Sequence, residues 1–479
     1  MVQSAADETL RTDFALLIDG KLVNTAERLD VINPATGRVF ASCPAASAAE
    51  LDRAVAAARR VAPAWRDAGY GTRAKIIEKL ATALRDNQDA LADLLTREQG
   101  KPLGQSVAEI DRGAAQSLGM AEIEIPVETL VDNDERLIEL HYKPLGVVGI
   151  ITPWNAPVNL ALGPLVSALY TGNTVILKPS PYTPLTTLKL GELLNDIVPP
   201  GVVNVLAGGD ELGSLMTAHD GIDKISFTGS VETGKKVYAS ASSTLKRLTL
   251  ELGGNDPAII LDDVDPKAIA KKVFFASFVN SGQVCMAIKR IYAHASIYDE
   301  LCDALVEEAG RAKVGSGLDP ETTLGPLQNK MQYDKVVDLI EHTKKTGAKI
   351  LFGGEIPDGP GYFIPPTLVT DVADDSRLVT EEQFGPIVPI LKYHELDDAI
   401  ARANDTRYGL SGSVWTRDIA RGKQIAARLD VGTAWVNQHR ATSAVVPFGG
   451  AKESGLGRQY SHLGLKGYME PEVISVART

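Results

Sequence analysis

The stretch GVVGIITPWNAPVNLALGPLVSALYTGNTVILKP (residues 146–179) decides the fold class. Its two ends, 146–152 and 173–179, are apolar runs typical of strands, and the segment between them has the length of a crossover helix. Pro144 to Leu177 contains no charged residue and no histidine. A bilayer span is also uncharged, but the many prolines and glycines here would leave backbone groups that lipid cannot satisfy. We therefore predict parallel strands that are buried on both faces.

Three further segments extend this alternation of strands with connections of crossover length. They are GVVNVLAGG (201–209), DKISFTG (223–229) and LKRLTLELGG (245–254). Strand–helix alternation of this kind predicts an α/β fold with a mostly parallel, doubly wound sheet, which binds nucleotides at the carboxyl ends of its strands. After Gly254 a second α/β region continues to about Asn437.

The composition is that of an ordinary globular enzyme. The 479 residues are 44% hydrophobic and 23% charged, with a net charge of −12. The apolar content argues against disorder, and the acidic balance argues against nucleic acid or an anionic membrane as a partner. The start MVQSAADETLRTDF has no basic region followed by an apolar run, so we expect no export signal.

The cysteines and histidines argue against two further classes of protein, those built on a disulfide framework and those that bind a metal. Cys43, Cys285 and Cys302 are the three cysteines, too few and too unevenly spread for a disulfide framework, so we expect a reducing, cytoplasmic location. The seven histidines are scattered, and no Cys/His pair has the spacing of metal ligands. We therefore predict no metal site.

Cys285 is the candidate nucleophile. Upstream, Asp265-Pro266 is a favourable helix start, and the predicted helix ends near Asn280-Ser281-Gly282. Cys285 therefore follows a helix-breaking loop, whereas Cys302 falls at apolar helical spacing and is predicted to lie in the core. Free cysteines are more often buried than reactive, so the loop alone does not decide the role of Cys285.

Several polar residues follow predicted strands, where a cleft would lie. Glu251 ends a strand in TLELGGNDP, Asn155 follows one in IITPWNAP, and Lys178 ends an uncharged strand in ILKPSPYTP. SFTGSVETG places Gly229-Ser230 before a helix, which suits a phosphate. Each has an ordinary alternative, such as a solvated glutamate or an Asx turn. The G-x-G-x-x-G fingerprint of dinucleotide binding is absent.

Taken in order, these motifs resemble those of the NAD(P)-dependent aldehyde dehydrogenase superfamily. The resemblance runs from about Leu17 to the C-terminus and is nearest to bacterial aldehyde dehydrogenases of unsettled substrate. The motifs that carry it are PWNAP, KPSPYTP, FTGSVETG, ELGGNDP, GQVC, EEQFGPI and PFGGAKESGLGR.

The resemblance also implies how the chain is divided. A doubly wound, Rossmann-like cofactor-binding domain would comprise residues 1–121 and 143–252. An α/β catalytic domain would comprise residues 253–466. A small β element for oligomerisation would comprise 122–142 and 467–479, and would assemble the chain into a homodimer or a homotetramer.

The resemblance implies oxidation of an aldehyde to a carboxylic acid. Cys285 matches the family nucleophile, which forms a thiohemiacetal and then a thioester. Asn155 matches the donor to the oxyanion, and Glu251 matches the base that activates water for hydrolysis. Two alternatives stay open: a semialdehyde dehydrogenase that passes the acyl group to coenzyme A, and a catalytically silent binding protein on the same fold.

The cofactor implied by the resemblance is NAD or NADP. Members that prefer NAD usually carry a glutamate three residues after the lysine, and Pro181 stands there. Both cofactors therefore remain open, with a preference for NAD. The residues that the resemblance places around the cofactor are Ile151, Thr152, Trp154, Lys178, Ser180, Pro181, Gly209, Gly213, Phe227, Gly229, Ser230, Leu252, Glu382 and Phe384.

The substrate-binding residues are less clear. Gln459 stands where a glutamate that assists proton relay is frequent. Small residues at Ala156 and Gly163 suggest a roomy channel, leaving aliphatic, aromatic and carboxylate-bearing aldehydes open. Arg440 matches the loop at the channel mouth and could pair with a substrate carboxylate. The other interpretation is a solvated loop arginine.

Overall fold

The computed structural model describes residues 13–478. The outermost parts of the predicted cofactor-binding and oligomerisation ranges, residues 1–12 and 479, lie outside it, as does most of the N-terminal stretch MVQSAADETLRTDF, where no export signal is expected. The helices of the described chain are α1 (Ala48–Asp67), α2 (Gly69–Asp86), α3 (Gln88–Gln99), α4 (Leu103–Ala121), α5 (Pro157–Tyr170), α6 (Leu185–Asn195), α7 (Asp210–Ala218), α8 (Val231–Ala241), α9 (Pro266–Phe278), α10 (Tyr298–Gly310), α11 (Lys330–Lys344), α12 (Arg377–Thr380), α13 (Leu396–Asn404), α14 (Ile419–Ala426) and α15 (Ser461–Lys466).

The strands form four sheets. In chain order they are β1 (Leu16–Ile18), β2 (Lys21–Val23), β3 (Arg28–Asn33), β4 (Arg38–Pro44), β5 (Glu128–Asp132), β6 (Arg136–Pro144), β7 (Val147–Ile151), β8 (Thr174–Lys178), β9 (Val203–Val205), β10 (Lys224–Thr228), β11 (Arg247–Glu251), β12 (Asp256–Ile260), β13 (Ile288–His294), β14 (Lys349–Phe352), β15 (Thr367–Thr370), β16 (Ile387–Tyr393), β17 (Ser411–Trp415), β18 (Thr433–Val436), β19 (Gly455–Leu456) and β20 (Met469–Ala477).

The first sheet has the strand order β19-β11-β10-β7-β8-β9-β1-β2. The five central strands, from β11 to β9, are parallel. The chain moves outward from β7 through β8 to β9 and then crosses to β10 and β11 on the other side. The order therefore reverses between β7 and β10, which is where doubly wound sheets bind ligands. The predicted α/β, doubly wound fold is confirmed.

The second sheet has the order β14-β15-β16-β13-β12-β17-β18, and only its edge strand β14 is antiparallel. A third, antiparallel sheet joins β20, β6 and β5. β3 and β4 form a separate hairpin. Because β19 pairs with β11, residues 455–456 join the first sheet, although the predicted limits assign them to the catalytic domain.

The uncharged stretch forms the centre of the first sheet. β7, β8 and β10 are buried along almost their whole length, which is why their sequences lack the polar alternation of a half-exposed strand. Between β7 and β8, α5 is buried on nearly all sides. Within residues 13–478, no helix combines the length and the apolar character needed to cross a bilayer.

A short loop between α9 and β13 carries Cys285, which packs against the core of the first sheet. α9 begins as predicted, with the Asp265 side chain accepting a hydrogen bond from the Lys267 amide at 3.0 Å. It is followed by three residues in the left-handed region, Asn280 (φ 53°), Ser281 (φ 55°) and Gly282 (φ 74°). Such backbone is costly for non-glycine residues and persists only where its surroundings fix it.

We expect Gly282→Ala to be strongly destabilising. A Cβ at Gly282 would lie 2.3 Å from the Gly385 carbonyl oxygen, in addition to its strained φ. Gly347→Ala is the matched control, because Gly347 has a similar φ of 82° with no neighbour within 4 Å. Thermal unfolding should show a cost of about 1 kcal/mol for Gly347→Ala and about 3 kcal/mol or more for Gly282→Ala. Equal costs would show that the close approach to Gly385 is unimportant.

Candidate active site

A cavity of about 180 Å³ lies where the first and second sheets meet. The candidate nucleophile, base and oxyanion donor all line it. Its walls come from the carboxyl ends of β7, β10 and β11, from the loop before β13 and from α11. The lining residues are Pro153, Trp154, Asn155, Leu160, Thr228, Gly229, Ser230, Glu251, Leu252, Gly253, Cys285, Met331, Gln332, Lys335, Glu382 and Phe384.

Cys285 packs at the boundary between the two sheets. It precedes β13 of the second sheet, yet its side chain contacts the hydrophobic core of the first. Burial, and after it the charge of Glu251, raise the pKa of the Cys285 thiol to about 12. The thiol is therefore protonated at neutral pH and needs a base or an added positive charge before it can attack a carbonyl carbon.

Glu251 ends β11 and is fixed on both sides by backbone pairing. Across the sheet, Glu251 pairs with Thr228 of β10 and with Gly455 of β19, and its backbone carbonyl accepts a hydrogen bond from the Gly229 amide at 3.0 Å. The side chain is buried, and its Oε1 has no hydrogen-bond partner among the described residues. Burial raises the pKa of the Glu251 carboxyl to about 8, which suits a base that works near neutral pH.

Asn155 is held by three hydrogen bonds. Its Nδ2 donates to the Gln283 carbonyl at 2.9 Å, and its own carbonyl accepts from Asn280 Nδ2 and Lys101 Nζ, each at 2.9 Å. One amide hydrogen of Asn155 therefore remains free. The Cys285 backbone N–H also has no acceptor among the described residues. These two donors are the pair that an oxyanion on a Cys285 adduct requires.

A buried ion pair supports the loop that carries Asn155. Lys101 and Glu109 are both nearly inaccessible and pair with each other. Oε1 of Glu109 accepts from the amides of Val158 and Asn159 at 3.0 and 3.2 Å, at the start of α5. A buried charge is stable only when it is paired and hydrogen-bonded. The sequence did not point to these residues, because they lie about fifty positions from Asn155.

Lys289 is a second lysine that the motifs did not identify. It is buried, and its Nζ donates to the Val284 carbonyl at 2.9 Å and to the Cys285 carbonyl. It also lies 3.4 Å from Glu382 Oε1. Lys289 thus fixes the backbone of the nucleophile loop and brings positive charge to the thiol. Its position four residues after Cys285, at the start of a buried strand, was a signal that could have identified it.

The residues predicted to bind the cofactor form two groups. The first group lines the cavity, and there the rings of Trp154 and Phe384 meet edge to face at 5.4 Å. Glu382 Oε1 accepts from the Gly254 amide at 3.0 Å. Members of this first group are Trp154, Gly229, Ser230, Leu252, Glu382 and Phe384.

The second group lies at the ends of β7, β8 and β10 and before or within α7. Ile151 pairs with both Lys178 and Phe227 across the sheet, and a Cβ at Gly213 would lie 3.8 Å from Lys178 Cε. The Phe227 ring packs under Gly229, where a Cβ would come within 2.4 Å of it. Members of the second group that do not line the cavity are Ile151, Thr152, Lys178, Ser180, Pro181, Gly209, Gly213 and Phe227.

Two polar groups in this second set fit a cofactor at the reversal of strand order. Burial lowers the pKa of Lys178 to about 8, and Lys178 forms no ion pair with the described residues. The hydroxyl of Thr152 is enclosed and has no partner there either. Lys178 Nζ donates only to the Pro179 carbonyl, at 3.4 Å. Buried polar groups with so few partners are costly, so both residues fit the polar groups of a bound dinucleotide.

On the substrate side, the structure departs from the expectation at Gly163 and shows the surroundings of Gln459 and Arg440. Gly163 does not open a wide channel, because Tyr460 fills the space: a Cβ on Gly163 would lie 3.1 Å from the Tyr460 hydroxyl. Gln459 is buried, and its Nε2 has no partner among the described residues. Arg440 is half-buried, with its Nε enclosed.

Comparisons with known proteins agree with this geometry. The aldehyde dehydrogenase family matches residues 22–474 of the chain. Aldehyde dehydrogenase LUC3 of Fusarium sp is 38% identical over 465 residues, covering 97% of this chain and 98% of its own length.

Solved structures are also similar to this chain over nearly its whole length. Betaine aldehyde dehydrogenase from Staphylococcus aureus, in complex with NAD+, superposes with a TM-score of 0.94 at 33% identity, covering 98% of this chain and 96% of the other. An NADP-dependent enzyme from E. coli superposes with a TM-score of 0.94 at 34% identity, covering 97% and 98%. With a family match over nearly its whole length and these relatives, the chain belongs to the aldehyde dehydrogenase family.

Proposed function

We propose that Cys285, Asn155 and Glu251 carry out the oxidation of an aldehyde to a carboxylic acid in this NAD(P)-dependent aldehyde dehydrogenase. The observation that supports these roles best is the unpaired, buried Glu251 carboxyl in the same cavity as Cys285. A carboxyl that is buried without a partner is costly unless function requires it.

The reaction begins with attack of the Cys285 sulfur on the aldehyde carbon. Glu251 in its ionised form takes the thiol proton, directly or through a water molecule. The new S–C bond converts the carbonyl oxygen to an oxyanion, which Asn155 Nδ2 and the Cys285 N–H stabilise. When bound, the nicotinamide supplies a positive charge that favours the thiolate and accepts the hydride, with its two electrons, from the adduct carbon. The product on the sulfur is a thioester.

Hydrolysis of the thioester completes the reaction. Glu251 first releases the thiol proton to solvent and, ionised again, takes a proton from water while the resulting hydroxide attacks the acyl carbon. The C–S bond breaks, the carboxylic acid leaves and the sulfur recovers its proton. Transfer of the acyl group to coenzyme A is the rival outcome, and the unpaired Glu251 Oε1 favours water instead. Assays with coenzyme A should therefore yield no acyl-CoA.

The same family resemblance supports self-association. In the third sheet, β5 and β20 are edge strands, and β20 exposes the apolar side chains of Val473, Ile474 and Val476. Open edges of this kind pair with another chain unless they are protected. We therefore assign this sheet to a homodimer or homotetramer interface. Because the nucleophile must remain a thiol, we also place the enzyme in the reducing cytoplasm.

Replacing the nucleophile should abolish turnover. We expect Cys285→Ser to lower kcat by about 10³-fold or more, because the hydroxyl is a far weaker nucleophile. Cys302→Ser is the control, since Cys302 lies in the core of the second sheet. The measurement is NADH or NADPH formation from an aldehyde. Full activity in Cys285→Ser would refute the assignment.

The pKa of Glu251 sets a pH dependence. A carboxyl with a pKa of about 8 is mostly protonated at pH 7 and gains its basic form as the pH rises. We expect kcat to rise about tenfold per pH unit below pH 8 and to level off above it. Glu251→Gln should lower kcat by about 10²- to 10⁴-fold and remove this inflection. An unchanged profile in the variant would assign the base to another group.

Pro181 should permit both cofactors. It lies three residues after Lys178 and offers neither a charge nor a hydrogen-bond acceptor on its side chain. Pro181→Glu should reduce kcat/KM with NADP by about 10²-fold or more relative to NAD, because a carboxylate there would repel the 2′-phosphate. Pro181→Gln is the neutral control and should leave the ratio within about threefold. A wild-type enzyme already strict for NAD would contradict this account of position 181.

A further inference from the structure

The loop after β18 is anchored beside the nucleophile. His439 Nε2 lies 3.1 Å from the carbonyl oxygen of Met286, the residue after Cys285. Trp435 Nε1 donates to the Ala441 carbonyl at 3.0 Å. Arg440 lies between these two anchors with a φ of 67°, a conformation that non-glycine residues rarely adopt. The two anchors therefore fix the backbone at Arg440 close to the loop that carries the nucleophile.

Arg440 has no partner for its charge. Among residues 13–478 it forms neither a hydrogen bond nor an ion pair, and its enclosed Nε is unsatisfied. Its guanidinium lies 5.9 Å from the centre of the ring of Phe275, an exposed side chain. The deeply buried Arg290 is the opposite case, because its nitrogens donate to the carbonyls of Asn255, Arg402 and Ala403. The fold itself satisfies Arg290, whereas the half-buried Arg440 has no such partner among the described residues.

A second arginine faces the same region. Arg112 on α4 is exposed and forms no ion pair or hydrogen bond with the described residues. α4 reaches the Arg440 loop through Gln116, whose Nε2 lies 3.5 Å from Thr442 Oγ1. Burial lowers the pKa of Arg440 to about 10, the charge of Arg112 lowers it further, and only the Cys285 thiol acts in the opposite direction. Arg440 is therefore still charged at neutral pH, and no carboxylate of the described chain balances it.

We propose that Arg440, assisted by Arg112, binds a carboxylate on the substrate, so that the natural substrate is an aldehyde that bears a carboxylate at the end remote from the aldehyde. This inference rests on the proposed function, because it assumes that the aldehyde adds to Cys285. The planar guanidinium binds a carboxylate through two parallel hydrogen bonds, and a site with little water strengthens the attraction. The same charges repel an aldehyde that carries a quaternary ammonium group.

Matched pairs of acids and esters test the proposal. The substrates are 4-carboxybenzaldehyde with its methyl ester, and succinic semialdehyde with its methyl ester, so that each pair differs in charge while the carbon skeleton stays the same. We expect at least one acid to exceed its ester in kcat/KM by about 10- to 100-fold in the wild type. Arg440→Met should remove that preference and leave the ester within about threefold, while Arg440→Lys should retain part of it.

Two controls separate an anion site from a structural role. Arg311→Met removes an exposed arginine that pairs with Glu307 and Glu308, and it should leave the acid-to-ester ratio unchanged. Arg112→Met should lower the ratio by a smaller factor than Arg440→Met. An equal loss for acid and ester in Arg440→Met, or a wild type that prefers the esters, would overturn the proposal.

Binding without turnover keeps this test independent of the proposed function. Calorimetric titration of Cys285→Ala with terephthalate and with succinate, the products of the two acids, measures anion binding alone. We expect at least one of them to bind, and that binding to weaken by about 10-fold or more when Arg440→Met is added. Equal affinity in both variants would overturn the anion site. Failure of the wild type to oxidise any of the four aldehydes would refute the proposed function, and the titration would still decide the site.

Discussion

The burial of a carboxyl and a thiol at the junction of two sheets is the constraint on which the rest of the site depends. Removal of water raises the pKa of Glu251 to about 8 and that of Cys285 to about 12. Both groups are therefore neutral at rest, which avoids two adjacent negative charges in an apolar place. Attack requires one of them to ionise, so positive charge near the sulfur matters. Lys289 supplies it from beneath the loop.

This arrangement needs a backbone that is fixed more firmly than ordinary loops. The left-handed run from Asn280 to Gly282 turns the chain out of α9, and the side chains in it are satisfied. Asn280 Nδ2 donates to the Asn155 carbonyl at 2.9 Å, and Ser281 Oγ donates to the Gly325 carbonyl at 2.6 Å. The strained nucleophile loop and the oxyanion donor are thus fixed to each other, which is the preorganisation that electrostatic catalysis requires.

The sequence predicted those features that depend on local chemistry. The central strands of the first sheet begin and end within about two residues of the predicted limits except at the ends of β9 and β11, and Asp265 caps the start of α9 as expected. Features that depend on contacts between distant segments of the chain could not be predicted from the sequence. Tyr460 occupies the space beside Gly163, and Lys101 supports Asn155, because the fold brings together positions that no motif links. The lack of a partner for Arg440 also could not be predicted from the sequence, because it depends on every element that packs around this residue.

The most direct test of the central claim is mass spectrometry of the Glu251→Gln variant, quenched after mixing with an aldehyde and the cofactor. The account predicts a stoichiometric mass increase equal to the acyl group, located on the peptide that contains Cys285. Without Glu251 the thioester forms more slowly, because only Lys289 and the bound cofactor favour the thiolate, but its hydrolysis is blocked. Acylation at another residue would contradict the assigned nucleophile. Hydrolysis at the wild-type rate, with no acyl-enzyme trapped, would contradict the role of Glu251.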